Sequence, residues 1–428
     1  MSASLSLRSR VLLRLLKLRR LSPVAMATHA RRHTEHYARA YADWDGKTFE
    51  DLPLLTKKTA RQLSPYDLLA RPLRKKVFLY GETTGSSGSP TPSFFTRKEF
   101  HGATLLAYIT PHYDILKNVL VDNRTCVNGL AFGFTVAGPS FGDMLCNLGG
   151  LVANVGSRST LATPPRIARC IARLKPSVIA ATPGDFLAWM RIVSEDYPAD
   201  YDAVVSELKV LLSTAELCAS ARQRRIEEHF GIRHIDIYAC VEGFFSLPCP
   251  CGECHVLDAY YPEVFDEGGK LLGRDGTGRF VFTNLVKRST PMVRYLLDDW
   301  VTVRPSDCPY GFPTTVEPHG RFELTAQLEG KRFGIRHFEE ELFRHGLFGD
   351  YRVEIFPEKC RFSLETYAGD PDRDALTKGL KTQFGRDVEL DIVSFGELTD
   401  YRAVRESKPI LRLVDHRPVS EQTIPAHL

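Results

Sequence analysis

The apolar run Val77-Phe78-Leu79-Tyr80 leads into Thr83-Thr84-Gly85-Ser86-Ser87-Gly88-Ser89-Pro90, and no other stretch narrows the fold as much. A strand that runs into alternating hydroxyl side chains and glycines is suited to phosphate. Glycine lets the backbone approach closely, and amides and hydroxyls donate to anionic oxygen. The Gly-Lys-Ser/Thr ending of a Walker A loop is missing, so a P-loop nucleotide fold is not expected. A Gly/Ser run by itself also describes a flexible turn. Signals further along the chain decide between the two.

From Val77 to about Leu217, strand-like runs alternate with helical patterns, which argues an α/β layer structure. Helices are expected over 100–120, 166–174 and 219–230, and strands over 177–181, 208–212 and 235–238. Residues 256–303 are richer in β-type runs. After Gly320 the pattern changes to strands at 351–356, 361–366 and 388–393 and a helix at 374–384, a unit of ordinary domain size. The expected fold is therefore a large α/β N-terminal domain over 1–320, with layered α/β subdomains and a β-rich part. A small α+β C-terminal domain is expected over 324–428.

A net charge of +4 over 428 residues does not argue for nucleic acid, and no apolar run is long enough for stable membrane insertion. The first stretch is basic, with Arg8, Arg10, Arg14, Lys17, Arg19, Arg20, Arg31 and Arg32 and no acidic residue before Glu35. A transit peptide or a membrane-surface helix has this composition. So does a helix packed on the body of the protein, which is the expectation here. Ten cysteines without a secretory signal point to reduced thiols in a cytoplasmic protein.

Seven short motifs occur in a telling order. They are Leu52-Pro53-Leu54-Leu55-Thr56-Lys57, the Thr83–Pro90 loop, Thr214-Ala215-Glu216, and Tyr238-Ala239-Cys240-Val241-Glu242. Then come Arg294-Tyr295-Leu296-Leu297-Asp298-Asp299, Gly320-Arg321-Phe322-Glu323, and Lys408 with Arg412 and Asp415. Together they resemble the adenylate-forming superfamily, and within it the phenylacetate–CoA ligase branch, over nearly the whole chain. The resemblance implies an AMP-forming acid ligase. A carboxylate attacks the α-phosphorus of ATP, pyrophosphate leaves, and the acyl adenylate passes its acyl group to a thiol such as coenzyme A. Such an enzyme must bind triphosphate, neutralise growing negative charge and fix the reactants.

The resemblance also assigns roles. Thr83, Thr84, Gly85, Ser86, Ser87 and Gly88 would hold the β- and γ-phosphates, and Glu242 would bind Mg²⁺. Ala215, Glu216, Asp236 and Tyr238 would line the nucleotide slot, and Asp299 would accept the ribose hydroxyls. Arg321 would contact the ribose and phosphate region, and Lys408 would reach the α-phosphate and carboxylate. Glu323 stands at the hinge about which the small C-terminal domain would swing between two poses. Phe132, Phe134, Ala137 and Gly138, with Tyr238 opposite, fall where the branch has its acid pocket, and aromatics beside small residues suit a flat aryl acid. Departures from the pattern are Ser89 for the loop lysine, Ala239 for a glycine, and Leu297-Asp298 for Thr-Gly before Asp299. They suggest a divergent member in specialised biosynthesis.

Cys249-Pro250-Cys251-Gly252-Glu253-Cys254-His255 packs three thiols and an imidazole into seven positions, and zinc takes four such ligands. Cys308-Pro309-Tyr310-Gly311 is similar to a Cys-x-Cys-Gly turn of the branch. The expected structural zinc set is Cys249, Cys251, Cys254 and Cys308, with His255 as the substitute. A loop of reduced cysteines is the alternative. No carrier-protein domain follows Asp415, so the acceptor is expected to be free: coenzyme A, a separate carrier protein or an amine. An amine-accepting ligase and a catalytically silent nucleotide-binding relative are the other functional readings. A homodimer is compatible with all of them.

Overall fold

The computed structural model describes residues 5, 7–83, 90–104, 106–404 and 412–418. Thr84, Gly85, Ser86, Ser87, Gly88 and Lys408, all expected at the site, lie outside the described residues. Among the described residues no helix is long and apolar enough to cross a membrane.

A five-stranded parallel sheet runs in the order Leu151–Asn154, Thr125–Asn128, Val178–Ala181, Val210–Thr214, Arg233–Ile237. Val178–Ala181 and Val210–Thr214 are buried at every position, as expected of strands covered on both faces. Alternate side chains feed two cores. Ile179, Ala181 and Leu211 pack with Ile167, Phe186 and Trp189 of the helices Pro164–Leu174 and Pro183–Asp196. Val178, Ala180 and Leu212 pack with Leu116, Phe141 and Leu145 of Tyr113–Asp122 and Ala137–Asn147.

The helix expected over 100–120 is interrupted at 110–112, with Arg97–Thr104 and Leu106–Ile109 before the interruption and Tyr113–Asp122 after it. Pro111 lies at this break. It lacks an N–H and its ring crowds the preceding turn. The break leaves Thr110 and His112 facing inward from a loop, both buried.

The β-rich part is an eight-stranded sheet, antiparallel apart from Leu55–Thr56, which pairs in parallel with Tyr295–Pro305. Its buried face carries Phe245, Phe280, Phe282 and Tyr295. The basic N-terminal segment forms the helices Leu7–Arg19 and Pro23–His33. Leu12, Leu13, Leu16, Met26 and Ala30 pack on this same core, and Lys17 pairs with Asp258 at 3.0 Å. Within the described residues this is the packed-helix arrangement.

The C-terminal unit is a four-stranded sheet, ordered Asp387–Ser394, Lys359–Thr366, Gly349–Ile355, Leu413–Asp415. The helices Ile335–Arg344 and Arg373–Phe384 bury Phe338, Leu342, Leu380 and Phe384 against it. This unit docks on the helix Ser220–Phe230. The N-cap of that helix, Ala219, has no side chain to accept its first amides. Two carboxylates from Ile335–Arg344 do so instead. Glu339 accepts from Ala219 N–H, and Glu340 accepts from Ser220 N–H at 2.6 Å and Ala221 N–H at 3.1 Å. Negative charge there satisfies orphan donors and complements the helix dipole.

A buried ion cluster lies beside this joint. Arg222 donates to Glu216 at 2.7 Å and to Glu339 at 3.1 Å. Arg412 donates to Glu216 at 2.6 Å and to Asp350 at 2.9 Å. Burial disfavours the Glu216 charge, but Arg412 and Arg222 outweigh it and hold its pKa well below the usual carboxylate range.

Candidate active site

The C-terminal end of Arg233–Ile237 meets the ends of Tyr295–Pro305 and Thr314–Arg321, and the expected charges converge there. Asp299 and Arg321 are directly opposite one another across an antiparallel strand pair. Their side chains form an ion pair at 3.0 Å, and Tyr238 donates its hydroxyl to the other Asp299 oxygen at 2.6 Å. Tyr238 thus lies against Asp299 as expected of the slot. Burial, with the Asp299 charge next, keeps its phenol protonated. Arg321 also donates to Leu297 O at 3.1 Å. Glu323 is exposed in the 3₁₀ turn Phe322–Leu324 that leaves this strand for the C-terminal unit.

Glu242 is fully buried. Its Oε1 accepts the Tyr295 hydroxyl at 2.6 Å, while Oε2 has no hydrogen-bond partner, and the Cys240 thiol lies beside it. A buried carboxylate oxygen left open fits a hard divalent cation, which takes carboxylate oxygen.

Two lysines that had been given no role belong to the same centre. Lys57 donates to Leu297 O, and its ammonium lies among Arg321, Asp299 and Glu242. Burial, then the Arg321 charge, lowers its pKa. Lys287 is buried, donates to Ser93 Oγ, and sits 3.6 Å from the centre of the Phe95 ring. Burial brings its pKa down to about 8, and Glu99 and Glu242 oppose the shift. Lys57 lies in a quoted motif, so its sequence signal existed. Lys287 has none, because a single lysine after a strand is ordinary. Thr83 Oγ1 accepts from Thr91 N–H at 2.9 Å, where the hairpin Val77–Glu82 and Pro92–Thr96 frames the loop.

The departures acquire structural meaning. Asp298 takes a left-handed φ of +61°, a conformation that glycine reaches freely and aspartate tolerates better than most residues. Its side chain is held by Arg279 at 2.6 Å. Ala215, with φ of +70°, turns the chain sharply at the end of Val210–Thr214. Glu216 beyond it points into the buried ion cluster and also accepts Gly184 N–H at 3.1 Å. Its side chain therefore links this strand end to Arg412 beside the C-terminal sheet. Asp236 accepts the Ser213 hydroxyl, and burial raises its pKa to about 7.

An apolar cavity of about 60 Å³ lies along the strand Arg233–Ile237 that leads to Tyr238. Phe141 and Met144 close one side, Leu212, Ile235 and Ile237 the other, and Phe244 stands at one end. Of the residues expected at the acid pocket, Phe132, Phe134, Ala137, Gly138 and Tyr238, none lines this cavity. Phe134 is 67% exposed. Phe132 packs over Gly138, where an added Cβ would come within 2.6 Å of its ring. The right helix was indicated, but its interior turns face the cavity and its first residues do not.

The cysteine cluster is corrected. Cys249, Cys251, His255 and Cys308 present ligand atoms all within 4.8 Å of one another. Cys249 and Cys251 Sγ each lie 3.8 Å from Cys308 Sγ, and Cys251 Sγ lies 3.3 Å from His255 Nε2. Thiolates on tetrahedral zinc at ~2.3 Å stand about 3.8 Å apart, so the spacing fits. His255 Nδ1 lies 3.3 Å from Thr314 O, and donating there leaves the Nε2 lone pair for a metal. Cys254 is not in the set. It precedes His255 in the strand Cys254–Val256, so its side chain leaves by the opposite face, beside Ser246 and Asp236.

No family model matches the chain. It is 27% identical to phenylacetate-coenzyme A ligase of Aromatoleum evansii over 319 residues, which is 68% of this chain and 67% of that one. It is 26% identical to phenylacetate-coenzyme A ligase of Pseudomonas putida over 301 residues, 64% of this chain and 62% of that one. The chain is thus similar in sequence to phenylacetate–CoA ligases. The ligase-like chain also shares its fold with 2-hydroxyisobutyryl-CoA ligase, crystallised in the postadenylation state with R3-HIB-AMP. That match has a TM-score of 0.70 at 17% identity and covers 98% of this chain and 91% of that one. The sequence match spans about two thirds or less of these ligases' length.

Proposed function

We propose that this protein is an AMP-forming ligase that activates an aryl acid as its adenylate and passes it to a thiol such as coenzyme A. One observation carries the reading: Asp299, Arg321, Tyr238, Glu242, Lys57 and Lys287 converge, and an apolar cavity lies along the strand that leads to Tyr238. Asp299 would take the ribose hydroxyls, with Arg321 and Tyr238 holding its carboxylate in place. Arg321, Lys57 and Lys287 would draw the triphosphate in and offset charge on the leaving pyrophosphate. The two lysines supply positive charge that Ser89 does not. Glu242, held by Tyr295, would hold Mg²⁺, whose chemistry is to neutralise phosphate oxygens. The acid would lie in the apolar cavity with its carboxylate toward Tyr238. In this reading Thr83, Thr84, Ser86 and Ser87 grip the phosphates, Lys408 reaches the α-phosphate, and the unit beyond Glu323 swings between two poses.

Acid-dependent ATP–pyrophosphate exchange across a panel of aryl and aliphatic acids tests this. Exchange with an aryl acid, followed by a thioester when coenzyme A is added, is the expected result. A protein that neither binds ATP nor exchanges pyrophosphate with any acid ends the reading. Adenylation without a thioester would move the acceptor to an amine or a carrier protein.

Zinc on Cys249, Cys251, His255 and Cys308 is the second part of the proposal. It would brace the loop that follows Glu242 and do no chemistry. Protein purified without chelator is expected to carry about one zinc per chain, reduced in Cys308→Ser. Reproducible absence of metal in the purified wild type would return the cluster to reduced thiols. All ten cysteines are free, which supports a reducing compartment such as the cytoplasm.

A further inference from the structure

The apolar cavity has two unlike ends. Ile237 and Phe244 stand next in sequence to Tyr238 and near Glu242, so they mark the end toward the nucleotide centre. Thr110, His112 and Pro248 form the other. There His112 feels the charge of Arg233, which begins the strand that Ile237 ends. Four residue steps of strand separate the two, about 13 Å.

His112 is 4% exposed, and its Nδ1 has no hydrogen-bond partner. Two of the three hydroxyls that line the cavity are already engaged. Thr110 accepts His112 N–H at 3.2 Å and donates to Pro248 O at 3.4 Å, and Ser246 donates to Tyr238 O. Burial, helped by Arg233, pushes the His112 pKa down to about 4, so the ring is neutral at neutral pH. A neutral imidazole offers one donor and one acceptor. An unpaired buried polar atom costs roughly 1–3 kcal/mol, so its presence calls for a partner. Apart from the hydroxyls of Thr110, Ser140 and Ser246, the cavity walls around it are aliphatic and aromatic, and no charged side chain lines them, which disfavours a charged partner.

Building on the ligase reading above, we propose that the acid substrate carries a neutral hydrogen-bonding group, hydroxyl or amino, at the end remote from its carboxylate, and that His112 receives that group. The substrate class is then a polar-substituted aryl acid, and His112 is its specificity residue. A plain hydrocarbon acid would leave the imidazole unpaired and be discriminated against.

The test is pyrophosphate exchange with aryl acids of one skeleton that differ only in the remote substituent: hydroxyl, amino, methyl or hydrogen. The hydroxyl or amino acid is expected to exceed the methyl acid in kcat/KM by on the order of 10- to 100-fold. In His112→Leu the ratio should invert, because the pocket floor becomes apolar. His112→Gln, which keeps a donor and an acceptor, should retain the preference for the polar acid. If the Leu variant does not fold, the wild-type ratio and the Gln variant decide. Equal rates for hydroxyl and methyl acids in wild type overturn the His112 proposal and leave the ligase reading intact, since exchange has been seen. Failure of every acid to support exchange or ATP binding overturns both.

Discussion

Glu242→Gln is expected to lower acid-dependent pyrophosphate exchange by roughly 10²- to 10³-fold, the usual cost of removing one charge-stabilising group from a water-poor centre. The substitution keeps the shape of the side chain and its bond from Tyr295, so the fold should persist. It removes the negative charge and with it the open oxygen, Oε2, which no protein donor uses. The Mg²⁺ concentration for half-maximal rate should rise in parallel. This second readout separates loss of a metal ligand from general damage. Unchanged rate together with an unchanged Mg²⁺ curve would place the cation elsewhere.

The largest stability effect is expected from Arg222→Met. Arg222 is completely buried between Glu216 and Glu339, which approach it at 2.7 and 3.1 Å. Methionine fills similar space but leaves two buried carboxylates to share Arg412. Removing one partner of a buried ion pair costs about 3–5 kcal/mol, because the remaining charge stays desolvated. Urea unfolding should show the midpoint falling by a corresponding amount. A loss below about 1 kcal/mol would mean that water or a shifted Arg412 replaces the guanidinium. Glu339 also accepts from Ala219 N–H, at the N-cap of Ser220–Phe230, so the same change should loosen the packing of Ile335–Arg344 on that helix. Faster amide exchange at Ala219 and Ser220 would report it.

These two residues show how unevenly the site was legible. Glu242 could be found because its motif is local: a tyrosine, a strand end and a carboxylate within five positions. Asp299 and Arg321 were legible for the same reason, one inside the strand Tyr295–Pro305 and the other at the end of Thr314–Arg321. The elements themselves followed from periodicity. Buried runs such as Val178–Ala181 and amphipathic stretches such as Pro164–Leu174 lie close to the expected spans. Pro111 was a missed signal, since a proline inside a helical pattern marks a break. The Cys254/His255 exchange was readable too, because adjacent strand residues cannot face the same way.

Other assignments depended on contacts that no window of sequence contains. Lys287 reaches Ser93 across 194 positions, and Arg412 reaches Glu216 across 196. Glu216 sits in a motif that pointed to the nucleotide, yet it is held by Arg222 and Gly184 N–H nearby and by Arg412 from the far end of the chain. The cavity lies one to two turns further along Ala137–Asn147 than aromatic composition suggested, because composition does not say which face of a helix meets a gap.

The sequence by itself determined the order of layers, the adenylate-forming likeness and the charged residues at strand ends, since periodicity and short motifs act over a few residues of chain. Only the tertiary structure decided which carboxylate keeps an oxygen open, which four groups could share a metal, and which imidazole is left without a partner. Those properties are fixed by packing between segments distant in the chain, where burial sets the cost of every unpaired polar atom.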